Sequence, residues 1–335
     1  MSFKRLDAED FVVSSDAVYS TMWSTGAPTL TSFFTSSVQE AGSSGDFYLS
    51  VYQTSSTLTT AEVQFDIIYA DVAGSGSADY NTAVPGKSPS LSMYGQYRSM
   101  ILEDENASFT FGDGNNVLTA TNFWVLSLER ARYKESIFPG SFNLKLSGSN
   151  GIINLTDNSK DVLVNSFVGT SRVYQLVSGS NGSAYSGNGY VTNSGSYGLV
   201  FPELGTILIN PYAVSQSIHV EADRTVTTNG TNNTTLFTAI NLGASFQANS
   251  QETITSDYVF IRARNSEFNY TENPTFISGS TGEVIYDAFI NNPQTYITTV
   301  GMYNDSNDLL AVAKLSRPLV KDFTKETLVR VKLDF

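Results

Sequence analysis

With 335 residues, a formal net charge of −13 and no cysteine, the chain is long enough for more than one core. Its field repels phosphate backbones and anionic lipid headgroups, so no direct nucleic-acid or membrane binding is expected. The lack of cysteine removes disulfides, thiolate metal ligands and thiol nucleophiles together.

Charged residues make up 15% of the chain, against roughly 25% in an average domain. Ser, Thr, Asn and Gly take their place beside 18 Tyr and 21 Phe, a mixture that suits strands joined by tight turns. The opening Met1 to Asp7 has no apolar run of the signal-peptide kind. No run approaches the roughly 18 residues of a membrane-spanning helix. A soluble protein made in a cytoplasm is the expectation.

In chain order, residues 1–23 read as an extended arm whose apolar patches, Phe11-Val12-Val13, Val18-Tyr19 and Met22-Trp23, are separated by acids and serines. Such patches cannot bury themselves alone and suit a groove on a neighbour. Residues 29–41 are a weak helix candidate, since Phe33, Phe34 and Val38 fit a strand as well. Alternation marks strands at 47–52, with Phe47, Leu49 and Val51 on one face, and at 63–67, with Val63, Phe65 and Ile67 inward. After Pro89, Met93, Tyr97 and Ile101 recur at four-residue intervals and predict a helix over 90–102. Further strands fall at 142–146, 173–177 and 206–209, the last apolar enough to be buried on both faces.

Asn150-Gly151, Asn181-Gly182, Asn188-Gly189 and Asn229-Gly230 offer hairpin turns. The Ser/Gly/Asn/Tyr stretch 178–196 reads as an exposed loop or hairpin tip. A boundary is expected near Asn210-Pro211, and residues 213–235 form a polar linker. The last hundred residues carry strands at 258–265, 296–303, 309–315 and 327–335. The predicted fold is therefore all-β: two β-sandwich-like parts, 24–212 and 236–335, with long loops, the N-terminal arm and at most one or two short helices.

The chemistry is sparse. A serine triad needs a histidine, and the single one, His219, sits in a strand-like Ile218-His219-Val220. With one His and no Cys, zinc and copper sites are close to excluded. Pro85-Gly86-Lys87-Ser88 ends like a phosphate loop, but its first glycine position holds Asn81, so an ordinary turn is the better reading. Glu103-Asp104-Glu105 reads as a charged loop rather than an acid pair. Asp305, Asn307 and Asp308 offer oxygen ligands for calcium, but without the EF-hand glycine and glutamate a plain hairpin turn is favoured. No catalytic residue, metal site or cofactor is predicted.

The run Tyr296 to Asp305, then Leu309 to Leu319 and the closing Val329 to Phe335 resemble structural proteins of contractile-tailed phages, chiefly marine T4-like myoviruses. The hairpin alone is similar to the attachment domain of phage tail-fibre and baseplate proteins. Met1 to Arg5, Tyr94 to Arg98 and Glu129 to Glu135 fit the same group. The resemblance implies a non-enzymatic virion subunit, in the baseplate or tail, whose partners are copies of itself and other virion proteins. Neck, collar or capsid-decoration positions are the alternative. From another class, a carbohydrate-binding or depolymerase module would use the tyrosine-rich loop Tyr185 to Tyr197.

A terminal arm and a terminal strand each add to a neighbour's sheet edge, giving main-chain hydrogen bonds and register at once. Phe11 and Trp23 are the expected contacts of the arm. Val300, Met302, Leu310 and Val312 alternate with small or polar residues, so one hairpin face packs inward while its edge, ending at Tyr303, stays available. In the last strand Val331, Leu333 and Phe335 form an apolar docking face opposite Arg330, Lys332 and Asp334.

Overall fold

A computed structural model describes residues 3–36, 47–78, 88–227, 230–270 and 273–334. Internal contacts divide the chain into two units, Val18–Glu252 and the pair Met1–Ala17 with Thr253–Phe335. The predicted divisions at 23, 212 and 235 fall elsewhere. The fold is mainly β, as its composition implies, with three helices of eight or more residues among the described residues, Pro89–Leu102, Pro211–Ile218 and Thr231–Gly243.

The larger unit is organised on a thirteen-stranded sheet. Its path runs Thr29–Leu30, Phe246–Gln247, Asn143–Gly148, Gly151–Asp157, Ser171–Ser180, Gly198–Phe201, Thr206–Ile209, Asn122–Leu128, Val63–Asp71, Leu49–Tyr52 and Phe34–Thr35. In place of the expected helix at 29–41, Thr29–Leu30 and Phe34–Thr35 are short strands with Leu30 and Phe33 in the core, and residues 37–41, Val38 among them, lie outside the described residues.

Central strands are buried on both faces. In Val63–Asp71, Phe65, Ile67 and Tyr69 join one apolar cluster while Ile68 and Ala70 join another. Ile207 and Ile209 are divided from Leu208 in the same way. Period-two alternation therefore builds two cores from one sheet. One face is covered by Ala213, Val214 and Ile218 of one helix and Leu236, Ala239 and Ile240 of another. The other is covered by Met93, Tyr94, Tyr97 and Ile101, the four-residue spacing that predicts this helix.

The sheet curls. Phe246 lies near one end of the path and Phe65 near the other, with six strands between them, yet their ring centroids are 5.3 Å apart. Trp23 at 4.8 Å and Phe142 at 5.3 Å pack edge-on against Phe246. Trp23 is only 2% exposed, so it is a core residue of the single chain rather than an arm contact awaiting a partner. The arm is not free either, since Phe11–Thr21 is a strand that pairs with Asn249–Ala263.

The expected linker also folds into the core. Asn210 caps the Pro211–Ile218 helix by accepting from the Tyr212 N–H at 3.1 Å. Arg224 donates through Nε, at 2.7 Å, to the wholly buried Asp71 carboxylate. Asn232 accepts from the Asp223 N–H and donates to the Gly76 carbonyl, both at 2.8 Å. Asn210 and Asn232 are buried with their polar groups satisfied, and the exposed Arg224 reaches a buried carboxylate, which is why composition alone reads the segment as solvated.

Asn181-Gly182 makes the predicted two-residue turn, with φ of 53° and 87° between the paired Ser180 and Ser183. At the neighbouring hairpin the turn residues are Ser149-Asn150, because Gly148 pairs with Gly151. Gly230 instead starts a helix, at φ 76°, and Asn229 lies outside the described residues. The 178–196 stretch is only partly exposed, since Ser183–Ala184 pairs back on the sheet and Ser196 is buried against Gln175.

In the smaller unit, Asn249–Ala263 pairs antiparallel with Thr327–Asp334, and Thr295–Tyr303 forms a hairpin with Leu309–Lys321. Only Val259, Val329 and Val331 form its buried cluster; Val300, Met302, Ala313 and Leu315 are among the partly buried residues packed on it.

The curl makes a specific demand on Phe246. Phe246→Ala should cost about 3–5 kcal/mol, read as a lowered denaturant midpoint. A loss below about 1 kcal/mol would show that the two sheet ends do not share one core.

Candidate functional site

Most groups with catalytic potential are occupied structurally. His219 is exposed and caps the Pro211–Ile218 helix at φ 53° instead of sitting on a strand. Ser88, the last residue of the phosphate-loop look-alike, is buried and donates to the Gly74 carbonyl at 2.7 Å, while Ser77 and Ser90 surround it. Residues 85–87 lie outside the described residues. At the calcium candidate, the Asn304 side chain accepts from the Ser306 and Asp308 N–H groups and donates to the Asp308 carboxylate at 3.0 Å, which closes a hairpin turn. In the tyrosine-rich loop, Tyr190 donates to Asp113 and Tyr197 pairs with Ser217, leaving Tyr185 as the exposed ring.

Two carboxyls are held above the ordinary aspartate range, each chiefly by burial. Asp66 accepts from the Ser50 hydroxyl at 2.7 Å and feels Glu129. Asp157 accepts from the N–H groups of Gly140 and Ser159. Both carboxyls serve the loops and strands around them.

The surface chemistry lies in the smaller unit. In its hairpin Val300 pairs with Ala313, Gly301 with Val312 and Met302 with Ala311. Val300 and Met302 face the valine cluster together with Ala313. Val312 and Leu310 therefore lie on the opposite, outer face, exposed at 53% and 68%. Grouping all four on one inward face was wrong because the antiparallel register sets Val312 across from Gly301. Tyr303 is exposed beyond a bulge, and a Cβ on Gly301 would come within 3.0 Å of its ring. Tyr303 thus leans back over the glycine on the Val312 side.

The last strand turns the other way. Val331 pairs with Val259 and is 6% exposed, and Leu333 packs on the same cluster. Both belong to the unit's own core, which corrects their assignment as docking residues. Phe335 lies outside the described residues, and Phe11 is exposed on the outer strand. At the end of the hairpin, the wholly buried Lys321 donates to the Asn265 carbonyl, the Asn269 side-chain oxygen and the Asp322 carbonyl, at 2.9–3.0 Å. Neutral oxygens satisfy all three donors and fix this end of the hairpin.

The unit is poor in core and rich in exposed apolar surface. Among the described residues, four of its apolar side chains are fully buried, Val259, Ala263, Val329 and Val331. Sixteen of the thirty-two exposed large apolar side chains belong to it, though it holds one hundred of the 335 residues.

Sequence patterning missed two parts of the exposed apolar surface. Leu309 and Tyr296 are exposed within the hairpin; a strict count of alternation from the inward Val300 puts Tyr296 inward as well, and the register shift between Ile297 and Thr299 turns it out. In the larger unit, Leu163, Val164 and Phe167 protrude, yet Val162-Leu163-Val164 is indistinguishable from a short core strand by pattern alone.

The chain matches no family model, and no curated protein or solved structure is similar to it. Among the described residues, no group of three or more His, Asp or Glu side chains is placed to hold a metal ion, and no helix is long and apolar enough to cross a membrane.

Asp66 provides a pH-dependent check. Its folded carboxyl lies above the free value of 3.8, so ionisation weakens the fold, with the full penalty above the folded value and none below the unfolded one. Asp66→Asn should raise the melting temperature at pH 7, with the gain shrinking as pH falls and gone below about pH 4. A variant less stable than the parent at pH 7 would contradict the assignment.

Proposed function

We propose that this chain is a non-enzymatic structural subunit of a contractile-tailed phage particle, positioned in the baseplate or tail, and that its smaller unit is the docking module. The observation that carries the reading is the imbalance in that unit between its small valine cluster and its exposed apolar surface. A unit of about 100 residues with so small a core is marginal alone and gains stability from whatever covers it. The resemblance of Tyr296 to Leu319 and Val329 to Phe335 to virion structural proteins falls on the same unit and supplies the class of partner, other virion proteins and copies of this chain.

Neck, collar and capsid-decoration positions would use the same surface, so the docking argument is common to all of them. The carbohydrate reading is less supported, because Tyr190 and Tyr197 are engaged within the chain rather than arrayed for sugar rings.

In this reading the hairpin's outer face enters the contact. Leu310→Asp and Val312→Asp remove apolar groups that contribute roughly 1.5–3 kcal/mol each when buried. Both variants should fold as the parent does, judged by melting temperature, and be lost from purified particles. Normal incorporation of both would sink the docking role, and carboxylate-dependent release of reducing ends from a capsular polysaccharide would sink the non-enzymatic one.

A further inference from the structure

The sheet of Phe11–Thr21, Asn249–Ala263 and Thr327–Asp334 has an open edge. Phe11–Thr21 ends its path, and among the described residues no other strand pairs with it. An end strand of eleven residues presents a row of main-chain N–H and C=O groups to any chain that can lie beside it. Proteins commonly blunt such an edge with charges, proline or a bulge. The strand at the opposite end carries Arg330, Lys332 and Asp334. Phe11–Thr21 has no Lys, Arg, Pro or Gly, and Asp16 is its one charge.

Its apolar side chains are exposed on both faces, Phe11, Val13 and Tyr19 on one, Val12 and Val18 on the other. The edge is nevertheless held in place. The Ser20 and Ser250 hydroxyls are 2.9 Å apart, and Tyr19 stacks on Phe138 with ring centroids 4.8 Å apart while staying 61% exposed. An incoming strand therefore meets a template that is already ordered.

The order of residues says what that incoming strand is. Counted outward from Ser15, Ser14 is matched by Asp16, Val13 by Ala17, Val12 by Val18 and Phe11 by Tyr19. The segment is thus a palindrome of polarity. Two copies laid antiparallel about Ser15 set each of these apolar groups against another on the same face, because matched positions differ by an even number. Shifting the centre by one residue destroys the match. Centred on Asp16, two carboxylates oppose each other, and centred on Ser14, Val12 opposes Asp16.

We infer that two copies of this chain join along this edge, their Phe11–Thr21 strands antiparallel about Ser15, so that two sheets become one. The contact is isologous, so it closes on itself at two copies. It uses a different surface from the outer face of the hairpin and does not rest on the docking reading above.

The chain has no cysteine, so single cysteines introduced into the purified full chain report the register. Under mild oxidation Ser15→Cys should give a covalent dimer, since opposed antiparallel residues lie roughly 4.5–5.5 Å apart at Cα, within disulfide reach. Val12→Cys and Val18→Cys should each stay unlinked alone and link to one another when mixed. Opposed pairs alternate between the two antiparallel spacings, so one of these probes occupies the closer spacing whichever type Ser15 takes. By sedimentation velocity from about 1 to 100 µM, the range of a small interface, the parent should pass from monomer to dimer. Ser15→Lys sets two ammonium groups opposite each other and should weaken the dimer about tenfold or more. Its melting temperature at low concentration should match the parent's, because Ser15 is exposed.

A parent that stays monomeric across that range, a dimer indifferent to Ser15→Lys, or no link at either cysteine position would overturn the inference. So would Val12→Cys linking to itself as readily as to Val18→Cys, which would place the strands in another register.

Discussion

The curl of the thirteen-stranded sheet is the constraint on which the larger unit depends. Phe246 and Phe65, with six strands of the sheet between them, share one aromatic group with Trp23, Phe33 and Phe142. Closing the sheet on this group creates the inner core, which takes in two helices. The convex side then needs a cover of its own, provided by the Pro89–Leu102 helix with Phe109 and Phe111. Strands between two such cores have no solvent face, which accounts for the continuous apolar run at Thr206–Ile209. The polar segments that cross the cores must arrive already paired, as Asn232 and Arg224 do.

This also explains what the amino-acid sequence reveals and what it hides. Local periodicity is a property of one element and its own faces, so the helix of Met93, Tyr97 and Ile101 and the strands at 63–67, 173–177 and 206–209 are legible. The fate of a polar or mixed segment depends on partners far away in the chain. Asp71 and Arg224 are 153 residues apart, and no spacing rule links them. Trp23 reads as a free anchor until Phe246 is placed against it. At the hairpin, existence and residues were legible, but which apolar groups share a face depends on a cross-strand register that the bulge at Met302 and Tyr303 shifts.

The two units represent different solutions to burial. The larger one covers nearly every apolar strand residue from within the chain. The smaller one gathers three valines, packs partly buried residues such as Leu315 and Leu333 on them, and leaves Tyr296, Leu309, Leu310 and Ile290 exposed. Its sheet register is nevertheless specified by eight paired positions from Ser256 with Asp334 to Ala263 with Thr327, and its hairpin end by the buried Lys321. Order in this unit therefore comes from main-chain pairing and one chelated ammonium more than from apolar volume. A surface can then be apolar without the backbone beneath it being undefined.

The smaller unit is built from both sides of the larger one in sequence, Met1–Ala17 and Thr253–Phe335. Its first strand leaves the ribosome early, but the strands it needs follow only after residue 252. At roughly 5–20 residues per second, the intervening segment takes on the order of ten seconds or more to emerge, ample for it to collapse first. The apolar hairpin is therefore made after the larger unit, which can already be folded when the sticky face is presented. Chain order itself thus acts as a timer that withholds the apolar face until the larger unit has had time to fold.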